Sequence, residues 1–156
     1  MSHLIDQIVE ATRARLVAAA TYAGANVAKY RKWPVAPDDG TAFDWLLVNP
    51  GQDRVTESTP MRPRRLTEEV EITVRAISRV ATADGNPEAR ALALMLQVQL
   101  ALVGTGADIT LGGTAKFLRY AGSDPLEDET NLDAAGREVS FIVTFQTKET
   151  SFEAST

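Results

Sequence analysis

The chain has 156 residues, 44% of them hydrophobic and 24% charged, a length and balance that suit one globular domain and exclude a disordered chain or a multi-span membrane protein. It has no cysteine and one histidine, which removes disulfide frameworks, thiolate nucleophiles, sulfur-ligated zinc and histidine-rich metal sites. Sixteen basic against twenty-one acidic residues leave a formal charge of -5, which opposes a duplex-coating role because phosphate binding needs clustered Lys and Arg.

The opening Met-Ser-His-Leu-Ile-Asp has no basic run before an apolar one, so it does not read as a signal peptide and an intracellular address is expected. Leu4, Ile5, Ile8, Val9, Thr12, Leu16 and Val17 recur at helical spacing, which predicts an amphipathic helix ending near Ala20. Ser2 is placed to cap it, and His3 is read as a surface residue without a role. Residues 25–31 read as a short strand or extended segment. Trp33-Pro34 and the run Pro37-Asp38-Asp39-Gly40 mark a turn region.

Phe43, Trp45 and Leu47 alternate with Asp44, Leu46 and Val48, which predicts a strand apolar on both faces and interior to a sheet, closed by Asn49-Pro50-Gly51. Residues 49–66 hold three prolines and little periodicity, and they are read as a long loop. Arg54, Arg62, Arg64 and Arg65 make that stretch locally basic on an acidic protein, and these four are the candidate residues for binding a negative partner. No aromatic residue is interleaved among the arginines to stack on bases, so a protein surface suits them better than nucleic acid.

The clearest period of two runs through Glu69-Val70-Glu71-Ile72-Thr73-Val74-Arg75, with Val70, Ile72, Val74 and Ala76 facing the core of a strand from Thr67 to Val80. Asn86, Pro87 and Glu88 then stand in the order of a cap, a first-turn proline and a first-turn acid. They open a helix from Pro87 to Val103 that stops at Gly104. No charge occurs from Ala91 to Ala107. Leu92, Met95, Leu96, Leu100 and Val103 form one apolar stripe, and Leu94, Val98, Ala101 and Leu102 form a second.

The uncharged run is too short to span a membrane, with Gln97 and Gln99 interrupting it, and a helix apolar around most of its circumference needs cover on more than one side. A subunit contact would supply that cover, and Leu94, Val98 and Leu102 are the residues assigned to it.

Residues 114–121 predict a strand. The acidic stretch 123–133 follows, with Asp124, Glu127, Asp128, Glu129 and Asp133, and its first four acids are assigned to a subunit interface. Val139, Phe141, Val143, Phe145 and Thr147 then mark the last strand. The pattern is that of one α+β domain over residues 1–150, a mixed or antiparallel sheet of about four to five strands with two main helices, followed by a loose tail at 151–156.

Other motifs have simpler accounts. Gly104-Thr105-Gly106 and Gly112-Gly113 follow a helix, whereas a nucleotide-binding glycine loop follows a strand, so turn chemistry explains them. Glu69 and Glu71 share a strand face, as catalytic carboxylates sometimes do, but Thr73 and Arg75 continue that polar face. Neither Asp38-Asp39 nor the acidic stretch fits a calcium loop, and Pro60-Met61-Arg62-Pro63 is too short to specify a groove-binding motif. No metal, cofactor or catalytic residue is expected.

The order of elements, with segments such as Glu69-Val70-Glu71-Ile72-Thr73-Val74-Arg75 and Glu138-Val139-Ser140-Phe141-Ile142-Val143-Thr144-Phe145, resembles the tail-terminator proteins of long-tailed bacteriophages, the lambda minor tail protein U type. That resemblance implies a non-enzymatic α+β virion protein of the tail, assembled in the bacterial cytoplasm, encoded by a phage or a prophage. It further implies a ring, a hexamer in the family, that caps the tail tube, stops its growth and offers a surface to the head-completion or neck protein. DNA would at most pass through the lumen. A head-to-tail joining protein is the alternative within assembly proteins, and a small-molecule-binding module or carboxylate enzyme is the alternative outside them.

Overall fold

The apolar residues of 4–16 fall on one side of a helical turn, and in the computed structural model they wind into α1, Leu4–Ala18, with Leu4, Ile8, Val9, Thr12 and Leu16 buried. The structure describes residues 3–31, 42–60, 64–80, 85–126 and 134–148. Ser2, the turn region at 33–40, Arg62, Glu127, Asp128, Glu129, Asp133 and the tail at 151–156 lie outside these. The cap of α1 is His3, whose Nδ1 accepts from the Ile5 amide at 3.1 Å, so the imidazole does the work assigned to Ser2.

Five strands follow among the described residues: β1 Val27–Lys29, β2 Phe43–Ser58, β3 Arg65–Arg79, β4 Phe117–Leu126 and β5 Ala134–Lys148, with α2, Pro87–Val103, between β3 and β4. They form one mixed sheet in the order β1-β2-β3-β5-β4, parallel only at β1–β2. The α+β class and the interior position of β2 are as the sequence predicts. Leu46, Leu47 and Val48 are buried in succession, on both faces of that strand.

Both helices lie on one face of the sheet. Their buried stripes close over Leu46, Val48, Val70, Ile72, Val74, Val139, Phe141, Val143 and Phe145 to make the core. The helix starts where the sequence places it: Asn86 Oδ1 accepts from the amides of Glu88 at 3.0 Å and Ala89 at 3.3 Å. Gly104 ends it with an extended backbone, φ -65°, so the glycine is not there for a left-handed turn. A Cβ at this position would collide with the Leu100 carbonyl oxygen, and close approach is the reason for it.

Two expectations are corrected. The stretch 49–66 is mostly a hairpin, because β2 continues through Asn49-Pro50-Gly51 to Ser58 and pairs with β3 as far as Leu66. Bulges between Pro50 and Asp53 and between Val55 and Glu57 break the register, and residues 51–58 are exposed on both faces, so no alternation of polarity marks them as strand. Likewise β4 runs past Ala121 to Leu126. A bulge between Tyr120 and Gly122, the glycine at φ 143°, and an edge proline, Pro125, disguise its second half.

Candidate assembly surfaces

Helix α2 turns its two apolar stripes in opposite directions. Leu94, Val98 and Leu102, expected at a subunit contact, are fully buried inside the chain and belong to its own core, so that assignment is corrected. Their spacing turns them toward the sheet, where β3, β4 and β5 are within reach of the helix. The stripe left outside is Leu92, Leu96 and Leu100, exposed by 45%, 52% and 59%. At 3.6 residues per turn, Leu96 points almost directly away from Leu94 and Val98. Met95 and Val103 flank it, half-buried against the core. One notch of about 130 Å³ opens beside Leu92, toward Pro125 and Leu126, and another of about 330 Å³ opens beside Leu100, toward Ala19 and Ala20.

The four arginines are not gathered into one loop. Arg54 lies on β2 with its side chain exposed, and its Nη2 stands 2.9 Å from Glu69 Oε2 on β3, so its charge is matched within the chain. Arg119 of β4 approaches the same carboxylate at 4.0 Å. Arg64 is half-buried at the start of β3. Arg65 is exposed, with its amide donating to Thr59 Oγ1 at 2.9 Å across the hairpin end, and its backbone lies opposite Lys148. Asp124 falls in β4, opposite Glu138, which Arg75 holds at 2.8 Å.

Arg65 and Asp124 therefore do not meet within the chain. Arg65 lies opposite Lys148 and Asp124 opposite Glu138, ten residues apart along β5, or about 30 Å at the rise of an extended strand. The basic hairpin end and the acidic position occupy opposite ends of the sheet.

Two concave regions bear on a ligand-binding role. A cleft of about 550 Å³ is lined by Tyr22, Phe43, Asp44, Arg79, Asn86 and Arg90 among others. Its polar groups are engaged with one another: Asp44 accepts from Ser78 Oγ at 2.7 Å and from Arg90 Nη2 at 2.9 Å, and the Arg90 guanidinium sits 3.6 Å from the Tyr22 ring centroid. Asp44 thereby raises the Arg90 pKa further above its ordinary value. A smaller hollow of about 260 Å³ holds Glu69 and Glu71 with Gln52, Arg54 and Ile142, and the Arg54 pairing ties Glu69 into the sheet surface. No helix of the described residues is long and apolar enough to cross a membrane.

The sheet has two open sides among the described residues. β1 covers β2 only at Leu46, Leu47 and Val48, leaving the outer half of β2 as an edge, and β4 forms the opposite edge. Sequence periodicity carries no sign of either edge, since an edge is a property of strand order.

No protein-family model matches the chain, and no curated protein matches it. Among solved structures it is similar to a chain of the virion of a native gene transfer agent particle, with 21% identity over 85% of this chain and 84% of that chain and a TM-score of 0.47.

Proposed function

We propose that this protein is a non-enzymatic structural component of a phage-type virion, and more specifically a tail terminator that forms a ring on the end of the tail tube and stops its growth. The reading takes its family from the sequence resemblance. The observation that carries the assembly role is the outward stripe of Leu92, Leu96 and Leu100, about half exposed on a helix with no charged residue from Ala91 to its end. Such a face loses free energy to water until a partner covers it.

In this reading the ring, a hexamer in the family, meets the terminal tube ring on one side and the head-completion protein on the other. Arg65 at the hairpin end is exposed and Arg64 beside it is half-buried, and this end of the sheet is the one assigned to register with a partner. Growth ends because the second side of the cap offers no surface equivalent to the one a tube subunit would bind.

Depletion of the protein during phage assembly tests the role. A terminator gives overlong tubes by electron microscopy, whereas a head-to-tail joining protein leaves tails of normal length unattached to heads. Normal, attached tails would end both readings.

A further inference from the structure

We infer that copies of this chain join edge to edge, the β4 edge of one copy pairing antiparallel with the outer half of β2 in the next, so that the sheets run on from subunit to subunit. The inference rests on the ring reading and names the surfaces that would build the ring.

Strand order supplies the first argument. β2 runs antiparallel to β3, β3 to β5 and β5 to β4, so β4 runs antiparallel to β2. Copies related by a rotation that keeps strand direction therefore bring these two edges together in the antiparallel sense, where hydrogen bonds are best aligned. Among the described residues, the short β1 leaves β2 open from about Pro50 to Ser58. An edge strand presents a row of unpaired amides and carbonyls, which is a template for pairing with another chain.

Charge supplies the second argument, and it selects the partner. The exposed first half of β4 and its approach carry Lys116 and Arg119, the latter at the outer limit of an ion pair with Glu69 at 4.0 Å, while the outer half of β2 carries exposed Asp53 and Glu57, its Arg54 being held by Glu69 at 2.9 Å. Pairing the first half of β4 with its own copy sets cation against cation, Asp124 lying in the second half, and pairing the outer half of β2 with its own copy sets acid against acid. Between these halves only the unlike edges attract. A contact between two different surfaces of one chain is heterologous, and it produces a closed ring or a filament but not a two-fold dimer.

The natural chain has no cysteine, so introduced thiols report only the contact being tested. Arg119→Cys is combined in one chain with Asp53→Cys, and separately with Glu57→Cys. Each protein is mildly oxidised at assembling concentration with tube fragments present, then run on a non-reducing gel beside the single variants. The expected result is a ladder of linked copies, ending at the ring number, in at least one double variant, with single variants stopping at the dimer. In parallel, Arg119→Glu should weaken assembly at least tenfold by light scattering, and Glu57→Lys or Asp53→Lys in the same chain should restore it. A ring seen by light scattering without any ladder, or an Arg119→Glu protein that assembles as well as the natural one, overturns the edge contact while leaving the ring standing. A protein that never oligomerises, alone or with tube fragments, overturns both.

Discussion

Replacing Leu92, Leu96 and Leu100 together with Gln tests the surface on which the proposed assembly role depends. Gln forms helix nearly as well as Leu, so the substitution changes surface chemistry and leaves helix propensity almost untouched. Complete burial of a leucine side chain is worth about 1.5–3 kcal/mol, and these three are already roughly half covered in the isolated chain. Each therefore has about 1 kcal/mol still to gain, and the three together about 3 kcal/mol at each contact. Loss of that amount weakens association by about 100-fold. The assay is the concentration dependence of the assembled fraction, measured by light scattering with and without tube fragments, beside the melting temperature of the free protein. The reasoning expects a large shift in the first and a change within about 3 °C in the second. Unchanged assembly would refute the role of this face, and a melting temperature lowered by about 10 °C or more would show that the leucines support the chain itself.

The opposite stripe should behave in the reverse way. Leu94→Ala, at a position with no exposure, should cost about 3 kcal/mol of folding stability and lower the melting temperature by about 6–12 °C. Gly104→Ala places a methyl group against the Leu100 carbonyl and should destabilise by about 1–3 kcal/mol, measured by urea unfolding. Acid should expose two carboxylates that hold local structure. Arg13 hydrogen bonds hold Glu10 down to about 2, and hydrogen bonds from Thr110 and Gly112 do the same for Asp108. Both groups have folded pKa values below their ordinary ones, so their contribution is complete above about pH 4.5 and is lost as pH falls from there toward 2. Glu10→Gln and Asp108→Asn should each flatten the acid limb of the stability profile. An unchanged limb in either variant would refute the assignment for that group.

What could be read in the sequence depended on how strongly burial was imposed. β3 and β5 alternate cleanly because the core covers one face of each, and α2 is framed by Asn86, Pro87 and Gly104, whose roles are local. The outer hairpin was invisible for the converse reason: residues 51–58 are exposed on both sides, so nothing selects an alternation there. Composition showed that α2 was apolar nearly all round but could not say which stripe faced the sheet, since that is decided by which side packs on β3 and β5. The Asp108 turn escaped for another reason. Its carboxylate accepts from Thr110 N and Gly112 N, a local motif within an otherwise unpatterned glycine-rich segment.

The leucine face and the sheet edges point in different directions, and this separates the two proposed contacts. Leu96 projects away from the sheet on the far side of α2, whereas the edges of β2 and β4 lie in the plane of the sheet. One flat contact between neighbouring copies cannot bury both. If the copies join laterally through their edges, the leucines are left for a layer lying outside the helices, which in a capped tail belongs to another component or to another part of the neighbouring copy. The consequence is a dissociation of phenotypes. The Leu→Gln protein carrying the paired cysteines should still give a ladder on oxidation while losing its tighter assembly, and the Arg119→Glu protein should lose lateral assembly, restored by Glu57→Lys or Asp53→Lys, while keeping its exposed leucines. If the two sets of substitutions instead abolish the same contact to the same degree, the strands and the helix share one interface and the subunits are tilted far more steeply than an edge-joined sheet allows.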